Sequence, residues 1–160
     1  VQAVSADALA GCFVNATRRE AAAAVPPFPL AEYHWETMEF LGWRDQKDRT
    51  RAYLVLEVDG VLRGAVLRPT HTPGVHGVCA LCRDVTELAG VRMFSARRAG
   101  DAGRSGNSVA TLIHEDFRCS EYARRLPTPM EGALDPELFS SQRVEALRKR
   151  STGFMRRVIG

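Results

Sequence analysis

The chain has 160 residues, 45% of them hydrophobic and 26% charged, with a formal net charge of +3. That composition fits one globular domain able to bury a core without disulfide staples. It argues against a membrane protein, because no apolar run approaches the ~18 residues of a span, and the charge is too mild to predict nucleic-acid binding by itself. The first residues, VQAVSADALAGC, lack a basic start followed by an apolar stretch, so no secretory signal is read there and a cytoplasmic location is expected.

In chain order, the opening segment reads as one helix. Ser5 is its expected N-cap, and Leu9, Cys12, Phe13 and Ala16 recur at helical spacing. The alanines at 21–24 continue it until Pro26-Pro27. Cys12 lies on the apolar stripe and is expected to be a buried thiol. Residues 28–51 read as a connector whose rings (Phe28, Tyr33, Trp35, Phe40, Trp43) would clamp it to a neighbouring surface. Residues 52–58 and 61–68 predict a hairpin around Asp59-Gly60, a pair suited to a type I′ turn. Further strands are expected over 90–97 and 108–113, joined by AGDAGRSGN (99–107), which is expected to hold no regular structure. EDFRCSEYARR (115–125) has helical composition, with acids where the helix dipole favours them. Asp135-Pro136 announces a last helix, with Val144, Leu147, Phe154, Met155 and Val158 on one face and arginines opposite. The expected division is an N-terminal helix (1–30), a β-rich metal-binding domain (31–126) and a basic amphipathic helix (127–160).

Chemistry concentrates in two cysteine motifs. Cys79-x2-Cys82 is a knuckle in form, because two thiolates in one tight turn can reach a single ion. His114-x4-Cys119 follows after 31 intervening residues, a length that suits a strand–loop–strand returning to its start. Cys119 would lie in the first turn of a helix, where the positive dipole end favours a thiolate. His76 and His71 compete with His114 for the nitrogen position, while His34 carries no signal. A knuckle, a hairpin and a helix supplying the last ligands make a treble clef, so the fold class is α+β: a small antiparallel sheet with a treble-clef finger between terminal helices. Three cysteines and one histidine fill all four positions around zinc, which predicts one structural Zn²⁺ and no catalytic water. No Ser-His-Asp order or carboxylate pair stands out, and the Gly-rich loop lacks G-K-[ST], so the chain is not expected to be an enzyme. Two arginine-rich stretches remain, Arg97-Arg98 through Arg104 and Arg143 through Arg157. They suit an acidic protein face or phosphate, or a merely solvated surface.

On FLGWRD (40–45), RAYLV (51–55), CALC (79–82), ARRAGDAGRSGNSVAT (96–111) and HEDFRCSEYAR (114–124), the chain resembles the FBP-type elongation-factor-G-binding proteins. That family includes the FusB-type fusidic acid resistance proteins. The resemblance implies a treble-clef domain that binds elongation factor G and helps release it from the ribosome. It puts the zinc ligands on Cys79, Cys82, His114 and Cys119. Relatives of this type generally have Cys where His114 stands; histidine also ligates zinc. The surface expected to meet the factor carries Arg97, Arg98, Arg104 and Asn107. The rival partner is the ribosome through its RNA. No membrane partner is expected, and the chain is expected to be a monomer.

Overall fold

The computed structural model describes residues 2–70, 77–88, 90–132 and 134–160. Its elements are α1 (Ala6–Gly11), α2 (Arg18–Ala22), β1 (Leu41–Arg44), β2 (Ala52–Val58), β3 (Val61–Pro69), β4 (Val91–Arg97), α3 (Gly100–Arg104), β5 (Ser108–His114), α4 (Cys119–Arg124) and α5 (Pro136–Ile159). Asp59 and Gly60 take φ of 52° and 76°, the two left-handed residues that a type I′ turn needs. They fix β2 to β3 in a register running from Val58↔Val61 to Ala52↔Leu67. The strands form one antiparallel meander in the order β1-β2-β3-β4-β5.

β2 is buried along both faces, and its alternation assigns the two cores. Ala52, Leu54, Leu56 and Val58 face the α5 side, where Leu147, Phe154, Met155 and Val158 meet them. Tyr53 and Val55 face the other side, with Trp35, Leu41, Trp43 and the N-terminal Leu9 and Cys12. Trp43 stacks on Tyr53 at 4.9 Å between ring centres. The Tyr53 hydroxyl donates to Asp45 at 2.7 Å. The long helix starts where the sequence placed it: the Asp135 carboxylate accepts from the backbone N–H groups of Glu137 and Leu138, and Pro136 fills the first turn.

Four local expectations are corrected. The N-terminal helix is two short ones, because residues 12–15 are used by the sheet instead. Among the described residues β3 and β4 pair at Arg68↔Ser95 and Pro69↔Phe94, with Thr70 N–H donating to the Met93 carbonyl, and toward Gly64 they splay apart. Into that gap the chain inserts Phe13 beside Gly64, with Val14 N–H donating to the Gly64 carbonyl and Gly64 N–H to that of Cys12, each at 2.9 Å. A Cβ on Gly64 would lie 2.7 Å from the Cys12 sulfur, so only glycine permits this crossing. Asn15 completes the seam. Its amide donates to the carbonyls of Val66 and Arg97 and accepts the Val66 N–H at 2.8 Å. Second, the connector 28–51 contains the strand β1. Third, the 99–107 loop holds the helical turn α3. Its Gly103 packs so tightly under the Arg98 carbonyl that a Cβ would sit 1.7 Å away. Fourth, α4 begins at Cys119 rather than at Glu115. Glu115 forms ion pairs with Arg44 and Arg92, and Asp116 accepts the Tyr122 hydroxyl at 2.6 Å.

Asn15→Ala should destabilise the protein by about 1–3 kcal/mol, since it strands the buried Val66 N–H. Denaturant unfolding measures this, and an unchanged midpoint would show that the seam does not depend on the amide.

Candidate metal centre

Four segments converge at the end of the sheet farthest from α3. The knuckle places Cys79 and Cys82 around a turn closed by Arg83 N–H donating to the Cys79 carbonyl at 2.9 Å. Arg83 takes φ 55°, the left-handed position that ends this turn. Ala80 N–H reaches the Leu112 carbonyl at 2.8 Å and docks the knuckle on the edge of β5. His114 is the last residue of β5 and Cys119 the first of α4. Between them Phe117, at φ 59°, turns the chain and drives its ring against Gly42 of β1. A Cβ on Gly42 would lie 2.4 Å from that ring, so the missing side chain on β1 makes room for the turn that aims Cys119.

The donor atoms of Cys79, Cys82, His114 and Cys119 all lie within 4.8 Å of one another, and all four residues are buried. The Cys79 and Cys119 sulfurs are 3.7 Å apart, and His114 Nδ1 stands 3.4 Å from the Cys82 sulfur and 3.6 Å from that of Cys119. A tetrahedral ion about 2.3 Å from sulfur and about 2.0–2.1 Å from nitrogen has S···S edges of about 3.8 Å and S···N edges of about 3.6 Å. Those three separations match the edges of that tetrahedron. A disulfide would need sulfurs at about 2.05 Å, and all four cysteines are free.

The outer contacts select the same chemistry. His114 Nε2 is 2.7 Å from the Glu87 carbonyl, which can only accept, so Nε2 carries the proton and Nδ1 turns its lone pair toward the sulfurs. Without an ion, burial opposes a charged imidazole, but the facing Cys79 and Cys82 thiols and the Glu87 carbonyl outweigh it and raise His114 to about 11. Hydrogen bonds from Cys119 and Cys82 hold Cys79 far below the usual thiol range, whereas Cys119 is pushed well above it. Such a cluster holds protons that a divalent ion displaces on binding. The donor set fits one structural zinc, which supplies a cross-link between the knuckle and the β5–α4 junction. His76 and His71, the competing nitrogens, lie outside the described residues.

Sequence reading missed the groups that hold the knuckle from outside. Asp84 is fully buried and accepts from the Arg125 and Arg143 guanidiniums, the Thr86 hydroxyl and two backbone N–H groups. Arg150 donates to the Leu81 carbonyl at 3.0 Å. Arg143 and Arg150 belong to the basic helix, so part of its charge points inward to the metal loop. Of the rest, Arg156 pairs with Asp59 and Arg148 with Glu145. The Asp-x-Thr turn after Cys82 is the one local signal that could have exposed Asp84.

The proposed contact residues lie at the other end of β5. Its seven residues separate Asn107 from His114 by about 23 Å at ~3.3 Å each. Arg97, Arg104 and Asn107 are exposed and Arg98 is half-buried. Arg104 is paired with Asp101, and Arg98 N–H donates to the Asn107 carbonyl at 2.9 Å. Cys12 is buried against α1, its sulfur donating to the Leu9 carbonyl at 3.2 Å, and burial pushes its thiol up to about 12. His34 is exposed.

With the clef and its ligands in place, comparison with known proteins is decisive at family level. The profile of the FBP C-terminal treble-clef zinc-finger family matches residues 8–158. The chain belongs to this family. The match takes in α5, in keeping with the contacts that helix makes to the knuckle. The structure of the fusidic acid resistance protein FusC is similar, with a TM-score of 0.46 and 18% identity over 61% of this chain and 45% of that one. No curated protein matches the chain.

Elemental analysis should return one zinc per chain, falling well below one in Cys119→Ala. Hydrogen exchange should then rise across 77–88 and 114–124 while β2 and β3 stay protected. Asp84 carries a second expectation. Burial would raise its carboxyl pKa, but Thr86, Arg143 and the other donors overcome this and hold it well below the usual range. Its stabilisation is therefore present above the unfolded-state value of about 3.9 and is lost as pH falls below it. Asp84→Ala should cost about 3–5 kcal/mol at neutral pH by leaving Arg143 without its carboxylate, Arg125 keeping Glu131, and should flatten the acid limb of the stability profile.

Proposed function

We propose that this chain is a non-enzymatic binding module whose partner is elongation factor G. It acts as a monomer in the cytoplasm, and the step it assists is departure of the factor from the ribosome. The observation that carries the reading is a treble clef of the FBP family whose four donors leave no position for substrate, while exposed arginines stand together on a turn well away from it. A saturated zinc site organises structure rather than chemistry. Function then falls to the surface that the site orders. Resemblance to the elongation-factor-G-binding proteins along the β4–β5 hairpin supports the choice of partner. Among the described residues no helix is long and apolar enough to cross a membrane.

The arginine turn is suited to a protein face bearing carboxylates. α3 and the tight packing of Gly103 hold its backbone, so little order has to be gained on contact. Arg97 and Arg104 point to solvent and can exchange their present neighbours for carboxylates across an interface.

Purified protein should bind elongation factor G without ribosomes present, and Arg97→Glu with Arg104→Glu should weaken that binding by tenfold or more while zinc stays at one equivalent. Absence of binding with and without ribosomes would remove the proposal. Binding only to ribosomes, with affinity falling log-linearly and steeply in salt, would assign the turn to RNA phosphates instead.

A further inference from the structure

The two edges of the sheet are treated differently. The outer edge of β5 is occupied, since Ala80 of the knuckle donates to Leu112. The outer edge of β1 is open. Asp45 N–H donates to the Arg51 carbonyl opposite it, so by alternation Trp43 and Leu41 turn their backbone groups toward β2. Gly42 and Arg44 turn theirs away from the sheet. No described residue donates to or accepts from those outward N–H and C=O groups. FLGWRD, the motif that supplies β1, is otherwise unused by the metal centre beyond the room that Gly42 gives Phe117.

The open edge lies in a hollow of about 660 Å³. Its lining includes all four residues of β1, with Phe28, Tyr33 and Met38 of the connector and Phe117 and Arg118 beside the metal turn. Phe28 is 61% exposed, an unusual position for a large ring. Trp43 also lines the hollow, and its buried indole N–H has no acceptor among the described residues. Unpaired strand edges invite a further strand, and proteins that do not use them usually blunt them with proline, a bulge or a covering loop. Here the edge is walled instead by the connector's rings on one side and by Phe117 with charged neighbours such as Glu115 and Arg118 on the other.

We propose that the outer edge of β1 receives an extended peptide segment of a protein partner, which adds there as another strand. Backbone bonds would form at Gly42 and Arg44, and alternate apolar side chains of the segment would enter between Phe28 and Phe117. This surface is separate from the arginine turn, and its occupancy does not depend on elongation factor G.

The test uses a phage-displayed library of random linear peptides panned on the zinc-loaded chain. Peptides with alternating apolar residues should be enriched, and the best of them should slow amide exchange at Gly42 and Arg44. Arg44→Pro removes one outward donor without touching a bond to β2, a placement that edge strands tolerate. It should bind that peptide about tenfold more weakly than Arg44→Ala, which loses the same ion pair to Glu115. If Arg44→Pro does not fold, N-methylation along the peptide replaces it: methyl groups on one set of alternate residues should abolish binding and those on the other set should be tolerated. No enriched peptide that protects these amides, equal binding by the two variants, or indifference to the phase of methylation would overturn the proposal. The last two results would make the hollow a side-chain or small-molecule pocket.

Discussion

The structure depends on drawing three thiolates and one imidazole to a single point between segments far apart in sequence. Cys79 and Cys82 sit in a loop with little regular structure of its own, and His114 and Cys119 flank a turn with a strained backbone at Phe117. Neither half has a local reason to hold its shape. A tetrahedral ion supplies that reason to both at once, because the binding free energy of such a site is free energy of folding. The cluster is no peripheral clip. Its three sulfur residues lie in the same core as Phe94, Leu147, Phe154 and Met155, so the metal closes one end of the main hydrophobic core.

Charge follows from that choice. Three thiolates around a divalent cation leave the site one unit negative. The groups that answer it are arginines from α5 and the end of α4. Arg150 reaches into the knuckle at Leu81, while Arg125 and Arg143 meet on the buried Asp84 just beyond Cys82. A second pair, buried Glu39 with half-buried Arg124, ties the aromatic connector to α4 through two bonds of 2.7 and 2.8 Å. Buried ion pairs contribute little net stability against apolar replacements, but each is costly to break. Here they decide which surfaces meet: α5 on the knuckle, and the connector on α4.

The same constraint separates roles in space. Tightening one end of the sheet around the ion leaves the β4–β5 turn at the far end free to carry arginines. The splay between β3 and β4 lets the N-terminal segment become part of the sheet. Gly64, Gly42 and Gly103 each stand where another backbone, sulfur or ring comes too close for a side chain. They make the crossing, the metal turn and the arginine turn possible.

Much was legible in the sequence. The four ligands follow from cysteine and histidine spacing. The β2–β3 hairpin follows from Asp59-Gly60, and the last helix from Asp135-Pro136 and its apolar face. These are local chemistry: ligand reach, left-handed turn residues and caps act over a few positions. What the sequence could not give was everything decided by a distant partner. Cys12 to Asn15 have helical spacing, yet they leave the helix because the gap beside β3 offers backbone bonds that a helix end does not. Leu41 to Arg44 become a strand because β2 stands ready to pair with them. Arg143 and Arg150 read as a solvated or phosphate-binding face, yet they turn inward to a carboxylate and a carbonyl 59 and 69 positions away. Periodicity reports which side chains share a face, and only the packed chain decides what that face meets.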